Sequence, residues 1–310
     1  MKKYFIITLL AILALTVQAQ ETIKIVPKFK VGQKMTYHAL KISSMGVPVS
    51  NTEGEDITDQ FLTADSTTYD LEVSVLSKSD EGWKISTLLK NFQVKEETSK
   101  TADAFTKGVA SAFGMDKMVG ATEDYMKGLG EIPMEFTLDN EGKLLRYDNE
   151  KQLKMFFAEK YLPVMKDMMK KMSKLMSKKE RKQIKNLTVD SLLNLDVVGK
   201  MLDVSNIYCS FLIQKNDSSF TLGKSEYKTD DNFVNLEVSK QLSGWKIEQK
   251  EKMVPIDSGE GEEPFLDVDM DQNTIFEYDS DFLPTKFFHV EDGKVGNMIM
   301  KSSLSLDLVK

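Results

Sequence analysis

Histidine and cysteine are almost absent from this sequence, with two histidines and one cysteine in 310 residues. A single cysteine excludes an intramolecular disulfide framework. A Ser-His-Asp or Cys-His catalytic group would have to use His38 or His289, and no GxSxG or cysteine-protease motif accompanies either. The phosphate-binding motifs GxxxxGK[ST] and GxGxxG and the zinc motif HExxH are also missing. The sequence therefore predicts a protein that is not an enzyme and carries no cofactor.

Long apolar runs are lacking too. After residue 20 no segment approaches the roughly 20 apolar residues of a transmembrane helix. The first residues, MKKYFIITLLAILALTVQAQ, combine Lys2 and Lys3 with a short apolar run and a small residue at Ala19, a pattern typical of a signal peptide. No lipid-acceptor cysteine follows the apolar run. We therefore predict cleavage after Ala19 and export to the periplasm or the extracellular space.

The net charge of −7 argues against nucleic acid as a partner. The 48 acidic residues leave a carboxylate-based hydrolase open as the least favoured function, because two carboxylates can meet from anywhere in a chain. The sharpest acidic motif is DVDMDQN, where Asp267, Asp269 and Asp271 alternate along a strand and resemble calcium ligands. An EF-hand is excluded, since Gln272 and Tyr278 stand where glycine and glutamate are required. We predict no metal site and leave calcium at this motif open.

Two segments of the chain repeat the same pair of tetrapeptides. LEVS occurs at 71–74 and 236–239, and GWKI, which holds both tryptophans, follows each copy at 82–85 and 244–247. Apolar and polar residues alternate in LEVS, as in a strand with one buried side. We predict two equivalent β-hairpins in two similar halves of the chain, with Trp83 and Trp245 in corresponding positions.

Other alternating stretches predict further strands. A short hairpin loop is predicted at Asn140-Glu141-Gly142, and a strand that buries Cys209 in NIYCSFLIQ. The remaining predicted strands are 35–42, 134–138, 143–147, 233–238, 274–278, 286–290 and 298–308.

The predicted fold class is α+β, with two antiparallel β-rich halves joined by an amphipathic helical segment that covers a sheet. The predicted domains are a signal peptide (1–19), a first β-rich half (20–148), a helical segment (149–202) and a second β-rich half (203–310). Five glycines between about 100 and 130 predict a broken helical insert in the first half.

The helical segment contains MKDMMKKMSKLMSKKERKQIK (165–185), with apolar residues on one side and lysines on the other. Three interpretations remain open: a soft-metal site of thioethers, contact with a membrane surface, and packing on a sheet with the lysines in water. We favour packing on the sheet, where the apolar side would line a site for an apolar ligand. The predicted ligand-binding residues are Met165, Met168, Met169, Met172, Met176, Phe157 and Tyr161.

The predicted signal peptide, the stretch FKVGQKMTY at 29–37 and the later FTLDNEGKLLRY together resemble a broad group of exported bacterial proteins of uncharacterised function. The element pattern is also similar to that of lipoprotein-carrier (LolA-like) envelope proteins. These resemblances imply no catalytic or binding residue. We predict an exported, non-catalytic envelope protein that binds an apolar small molecule or an envelope protein, or alternatively a structural protein of the envelope without a ligand cavity.

Overall fold

A computed structural model describes residues 21–46, 49–50, 56–57, 61–98, 128, 130, 132–172, 188–190, 210–212, 219–229, 232–253, 268–295 and 298–309. The predicted signal peptide, most of the predicted insert at about 100–130, Cys209, Asp267 and Met176 lie outside these ranges. None of the helices within them has the length and the apolar character needed to span a bilayer.

Strands dominate the described part of the chain. The first are β1 (Thr22–Lys24), β2 (Lys34–Gly46), β3 (Val49–Ser50), β4 (Asp56–Ile57), β5 (Phe61–Lys78), β6 (Trp83–Thr98), β7 (Met134–Leu138) and β8 (Leu144–Tyr147). A helix, α1 (Glu150–Met172), and a 3-10 helix (Ser210–Leu212) follow. The last strands are β9 (Ser219–Thr221), β10 (Gly223–Lys228), β11 (Asn232–Gln241), β12 (Gly244–Met253), β13 (Val268–Asp279), β14 (Pro284–Val295) and β15 (Met298–Val309).

Eleven of these strands form one antiparallel sheet in the order β10-β11-β12-β13-β14-β15-β2-β5-β6-β7-β8. The order contains two five-stranded runs, β10 to β14 and β2 to β8, with β15 between them. Small two-stranded sheets join β1 to β9 and β3 to β4. The prediction of antiparallel, β-rich structure is confirmed, and the strands of both predicted halves belong to one continuous sheet.

Within NIYCSFLIQ, the three residues that the structure describes do not form the predicted strand. We expected a strand, but Ser210–Leu212 form a 3-10 helix in which the consecutive residues Phe211 and Leu212 are both buried. A strand would turn one of two neighbours away from the core, whereas the tight helical turn buries both. The Phe211 ring packs against Tyr37 at 4.7 Å between centroids.

One face of the sheet carries the core. A continuous cross-strand row of apolar residues crosses seven strands on this face: Val238, Ile247, Phe276, Phe287, Leu306, Ala39 and Tyr69. We call the face that carries this row the inner face and the opposite face the outer face. On the inner face, Leu153 and Ala158 of α1 and Phe211 of the 3-10 helix join the core.

The start of α1 is fastened to the sheet. Asn149 occupies the residue before the helix, and its backbone carbonyl accepts the first helical hydrogen bonds, from the N–H groups of Gln152 and Leu153. Its side chain does not cap the helix, because it accepts a hydrogen bond from the backbone N–H of Glu135 at 3.0 Å and donates one to the carbonyl of Pro133. Asparagine at this position commonly caps a helix through its side chain, whereas the side chain of Asn149 links α1 to β7.

The two GWKI hairpins are equivalent in their pairing. Trp83 stands opposite Lys78 and Leu138, and Trp245 stands opposite Lys240 and Tyr278. In each copy the facing lysine extends its ammonium over the indole, at 4.6 Å in the first copy and 5.7 Å in the second. The predicted correspondence of the two tryptophans is confirmed.

The equivalence continues into the hairpin after each GWKI strand, where the sequences differ. Asp139 and Asp279 each accept hydrogen bonds from the backbone N–H groups two and four residues later, at 2.8 Å in the first loop and 2.9 Å in the second. Gly142 and Phe282 take the same place with φ of 87° and 58°. Asparagine, aspartate and glycine tolerate such positive φ far better than phenylalanine does.

The N-terminal segment connects the two runs of strands. Ile23 and Ile25 are buried against Val238, Ile247 and Tyr278 of the second run. A few residues later, Phe29 meets Trp83 of the first run edge to face, with ring centroids 5.8 Å apart. Residues 23–29 therefore pack on the inner face of both runs of strands.

Candidate functional site

The predicted ligand-binding residues lie mostly beyond what the structure describes. The backbone at Phe157, Tyr161, Met165, Met168, Met169 and Met172 belongs to α1, whereas their side chains and all of Met176 fall outside the description. The ligand role of this stripe stays a prediction. Among the described side chains of α1, Leu153, Phe156, Ala158 and Leu162 contact the core.

The acidic motif of β13 lies on the outer face. Asp269 and Asp271 are both exposed on that side of the strand, as the predicted alternation requires. Asp269 is 3.9 Å from the ammonium of Lys252 on the neighbouring strand. Within the described ranges, no group of three or more His, Cys, Asp or Glu side chains has a geometry that would hold a metal ion.

A band of polar side chains interrupts the apolar inner face. We call this band the polar belt. It consists of two cross-strand rows beside the apolar row. The first row contains one apolar residue, Leu304, and the polar residues Gln249, Thr274, His289, Lys41 and Thr67. The second row contains Glu251, Gln272, Glu291, Ser302, Ser43 and Asp65. The polar members are half-buried except Asp65, which is exposed, and Leu304 is buried.

The centre of the belt is a hydrogen-bonded chain of three side chains. The Thr274 hydroxyl lies 2.8 Å from Nδ1 of His289, and Nε2 of His289 lies 3.1 Å from Oε1 of Glu291. An ionised carboxylate accepts hydrogen bonds and cannot donate them. A neutral His289 imidazole therefore carries its proton on Nε2 and donates to Glu291, and its Nδ1 accepts a hydrogen bond from the Thr274 hydroxyl. Gln272 donates a longer hydrogen bond to the same carboxylate oxygen, at 3.4 Å.

The surroundings of Glu291 stabilise its ionised form. The hydrogen bond from His289 lowers the pKa of Glu291 below its ordinary value of 4.5. Partial burial raises this pKa, and electrostatic interactions with His289 and Lys41 lower it further. The His289 ring also stacks on Phe287, with centroids 6.3 Å apart and planes 12° apart. The belt and the apolar row are therefore in direct contact.

A second acidic group lies on the other side of Gln272. Glu251 accepts a hydrogen bond from the side-chain amide of Asn232 at 2.9 Å and another from that of Gln249. At the far end, the Ser43 hydroxyl donates to the Asp65 carboxylate. The belt thus offers carboxylates, amides and hydroxyls in a row across six strands.

The order Thr274–His289–Glu291 matches that of a nucleophile, a base and an orienting acid. Acyl transfer also needs N–H donors aimed at the developing oxyanion. Each of the strands β12, β13, β14 and β15 has a hydrogen-bonded strand on both sides, so the backbone N–H groups around the chain belong to the sheet ladders. The arrangement is suited to hydrogen-bonding a bound polar group and is poorly suited to acyl transfer.

The other histidine provides a comparison on the outer face. Nδ1 of His38 lies 2.9 Å from Oδ1 of Asp70, and Asn91 donates to the second oxygen of that carboxylate at 2.6 Å. These contacts, with that of His38 the larger, lower the pKa of Asp70 against a small opposing effect of burial. The two histidine–carboxylate pairs are thus similar in chemistry and opposite in location.

Sequence reasoning missed the polar belt, although one signal for it was present. Thr274 and His289 both lie in stretches that were predicted as strands. A hairpin loop that begins at Asp279, similar to the loop predicted at 140–142, would have fixed the register of the two strands and placed Thr274 opposite His289. The other members come from strands whose neighbours are distant in sequence, such as β15 and β2. Their alignment follows from the sheet order, which local patterns do not specify.

Comparisons with known proteins give distant structural likenesses. No protein-family model and no curated protein matches the sequence. A structure of lipovitellin that describes its lipid–protein interactions is similar over 91% of this chain and 26% of that chain, with 8% identity and a TM-score of 0.41. An outer membrane channel from Pseudomonas putida F1 is similar over 92% of this chain and 98% of that chain, with 6% identity and a TM-score of 0.20. This chain therefore spans about a quarter of the lipovitellin chain.

Proposed function

We propose that this protein is an exported, non-catalytic envelope protein that binds an amphipathic ligand on the inner face of its sheet. The ligand's polar end contacts the polar belt, and its apolar part lies along the neighbouring apolar row. The observation that supports this proposal is the position of the belt on the side of the sheet that carries the core.

Apolar side chains are expected on the inner face of a sheet that packs on one side only. A polar group there that finds no hydrogen-bond partner lowers the stability of the fold by about 1–3 kcal/mol. A core built for stability alone would continue the apolar row through the next two rows. Breaks in this local rule are expected at functional sites. Binding sites for small molecules combine a largely apolar lining with a few placed polar groups, and the belt beside Phe276 and Phe287 has this composition.

The hydrogen-bonding groups of the belt favour a ligand with a polar end that both donates and accepts. Glu251 and Glu291 accept, while Lys41 and the amides of Gln249 and Gln272 donate. A ligand group with hydroxyl, amine or phosphoester character could use both kinds of partner. The apolar part would be an acyl or similar chain, because the adjoining surface is aromatic and aliphatic.

The first experiment identifies a ligand without assuming one. The protein is purified from its own host under native conditions, its mass is measured by native mass spectrometry, and the bound material is extracted with solvent. We expect one amphipathic molecule per chain. A ligand-free protein that also fails to displace a fluorescent acyl probe would contradict the proposal.

The second experiment locates the site with matched variants. His289→Leu removes the central imidazole of the belt, and His38→Leu removes the similar imidazole on the outer face. His289 holds the Glu291 carboxylate in place. His289→Leu should therefore weaken by roughly 10-fold the affinity for a fluorescent long-chain amine, whose polar end would donate a hydrogen bond to Glu291. His38→Leu should leave the affinity unchanged. Equal effects of the two substitutions would place the ligand elsewhere.

The alternative is an interaction protein without a small ligand. It is supported by β10, an edge strand of the sheet in which all six residues are exposed. Edge strands of this kind accept an added strand from a partner. Lys224 and Lys228 in the same strand oppose indiscriminate pairing. Cross-linking from Tyr227 to a partner protein, together with failure of the ligand experiments, would favour this function.

A further inference from the structure

Carboxylates on the two faces of the sheet differ in their partners. On the outer face, Asp292 lies 3.3 Å from the ammonium of Lys301 on the neighbouring strand. The other outer-face carboxylates that form ion pairs with lysine are Glu72, Glu135, Glu237, Glu248, Asp269 and Asp307. In the part of the chain that the structure describes, none of the three carboxylates of the polar belt forms an ion pair with a lysine or an arginine. The belt therefore holds negative charge that the described cations leave unpaired.

Glu291 has an accepting oxygen to spare. Its Oε1 accepts the hydrogen bonds from His289 and Gln272, whereas its Oε2 accepts none from the described residues. The side chain is 36% exposed, so a ligand can reach it. Each oxygen of an ionised carboxylate can accept two hydrogen bonds. Glu291 can therefore bind a donor that no described residue supplies.

A second acceptor without a donor lies near Glu251. Glu251 and Glu291 stand in one cross-strand row with Gln272 between them, about 10 Å apart along the sheet. The Asn232 side chain donates to Glu251, but its own amide oxygen is buried and accepts no hydrogen bond from the described residues. Buried acceptors without a partner are uncommon in folded proteins. The region around Gln272 therefore combines two negative charges with a carbonyl oxygen that lacks a donor.

The single lysine of the belt does not neutralise this charge. Lys41 lies on β2, two strands from β14 and four strands from β12. Its charge helps to lower the pKa of Glu291, yet its ammonium forms no ion pair with either described glutamate. A neutral His289 imidazole adds no charge. The two glutamates of the second belt row therefore share one distant ammonium.

We propose that the ligand of the inner face carries a primary ammonium group at its polar end and that Glu291 binds this group. The inference rests on the proposed amphipathic ligand and narrows its class to a cationic amphiphile. The ammonium donates to Oε2 of Glu291, and Glu251 contributes further negative charge. The apolar chain lies along the apolar row, which adjoins the belt where His289 stacks on Phe287. A phosphoester would instead bring another anion next to Glu291.

The ligand class is tested on the parent protein with three ligands that share one dodecyl chain. Isothermal titration calorimetry measures the affinity for dodecylamine, dodecanol and dodecyl phosphate, each below the concentration at which it forms micelles. We expect dodecylamine to bind more tightly than dodecanol by about 10-fold or more, because a hydrogen bond to a charged group is stronger when the donor is also charged. Dodecyl phosphate should bind most weakly.

Equal affinity for the amine and the alcohol, or tightest binding of the phosphate, would overturn the ammonium assignment and leave the amphipathic site in place. Absence of binding by all three ligands would contradict both the ammonium assignment and the proposed function.

Two matched variants of β14 locate the cation. Glu291→Gln removes the charge of the inner-face carboxylate and keeps its size, so dodecylamine should bind about 10-fold more weakly and dodecanol as in the parent. Asp292→Asn makes the same change one residue later on the outer face, and both affinities should match those of the parent. The dodecanol titration also shows whether the inner face of each variant remains folded. Unchanged dodecylamine affinity in Glu291→Gln, or an equal loss in Asp292→Asn, would overturn the proposal.

Discussion

Removal of the aspartate that organises each of the two equivalent hairpin loops should destabilise the protein by similar amounts. Asp139→Ala removes a carboxylate that accepts hydrogen bonds from two backbone N–H groups at 2.8 Å. Asp279→Ala removes a carboxylate that accepts two such hydrogen bonds at 2.9 Å. The freed N–H groups lie near the surface and regain water, so each bond resembles a helix N-cap, worth about 1 kcal/mol. We expect a loss of about 2 kcal/mol for each substitution.

The assay is urea unfolding followed by circular dichroism, with the slope of the free energy against urea as a check on the unfolded state. A loss of about 2 kcal/mol corresponds to a fall of about 4–8 °C in the melting temperature. Asparagine at either position keeps the accepting oxygen and should cost less than alanine. The double alanine variant should lose the sum of the single losses within about 0.5 kcal/mol, because the two loops form ion pairs with different residues, Glu141 with Lys24 and Asp281 with Lys28. A loss at one loop with none at the other would refute the equivalence of the two hairpins.

Three further predictions concern single positions. Gly244→Ala should cost about 1–3 kcal/mol in urea unfolding, because its Cβ would stand 1.8 Å from a backbone oxygen of β13 and force the strands apart. Glu291→Gln should lower the free energy of unfolding most above about pH 4.5, because the lowered folded-state pKa of Glu291 means that its ionised form stabilises the fold there. The difference between variant and parent should disappear as the pH falls through the folded-state pKa. Equal destabilisation at all pH values would contradict this prediction. Tyr37→Phe should cost about 1 kcal/mol by removing the 2.9 Å hydrogen bond to the Pro284 carbonyl. Burial raises the pKa of Tyr37, so this tyrosine should stay protonated until the protein unfolds. An alkaline absorbance titration should therefore find the same number of tyrosines ionised before unfolding in the variant and in the parent.

Local patterns were sufficient to find most of the strands. The predicted segment 134–138 coincides with β7, and 35–42, 233–238 and 298–308 lie within β2, β11 and β15. Each of these segments alternates apolar and polar residues because one side of the strand faces the core. Strands without that alternation were missed, and β10 is an example, since both of its sides are exposed.

The candidate site could not be predicted in the same way. Its register depends on β15 pairing with β2, which joins residues more than 250 positions apart, and no local signal specifies that contact. The predicted ligand stripe on α1 came from helical periodicity, which is a local property. The polar belt required the alignment of six strands, so Lys41 and His289 gained a common role only in the folded sheet.

The pairing of β2 with β15 also determines when the chain can finish folding. Synthesis proceeds from the N-terminus, so β2 and its neighbours emerge long before β15, the last strand that the structure describes, exists. Until then each five-stranded run has an open edge at the place where β15 will join it, and open edges recruit other chains. The final strand closes both edges at once. A nascent chain of this protein is therefore vulnerable to aggregation until β15 has been synthesised, and removal of β15 should leave two sheets that no longer join.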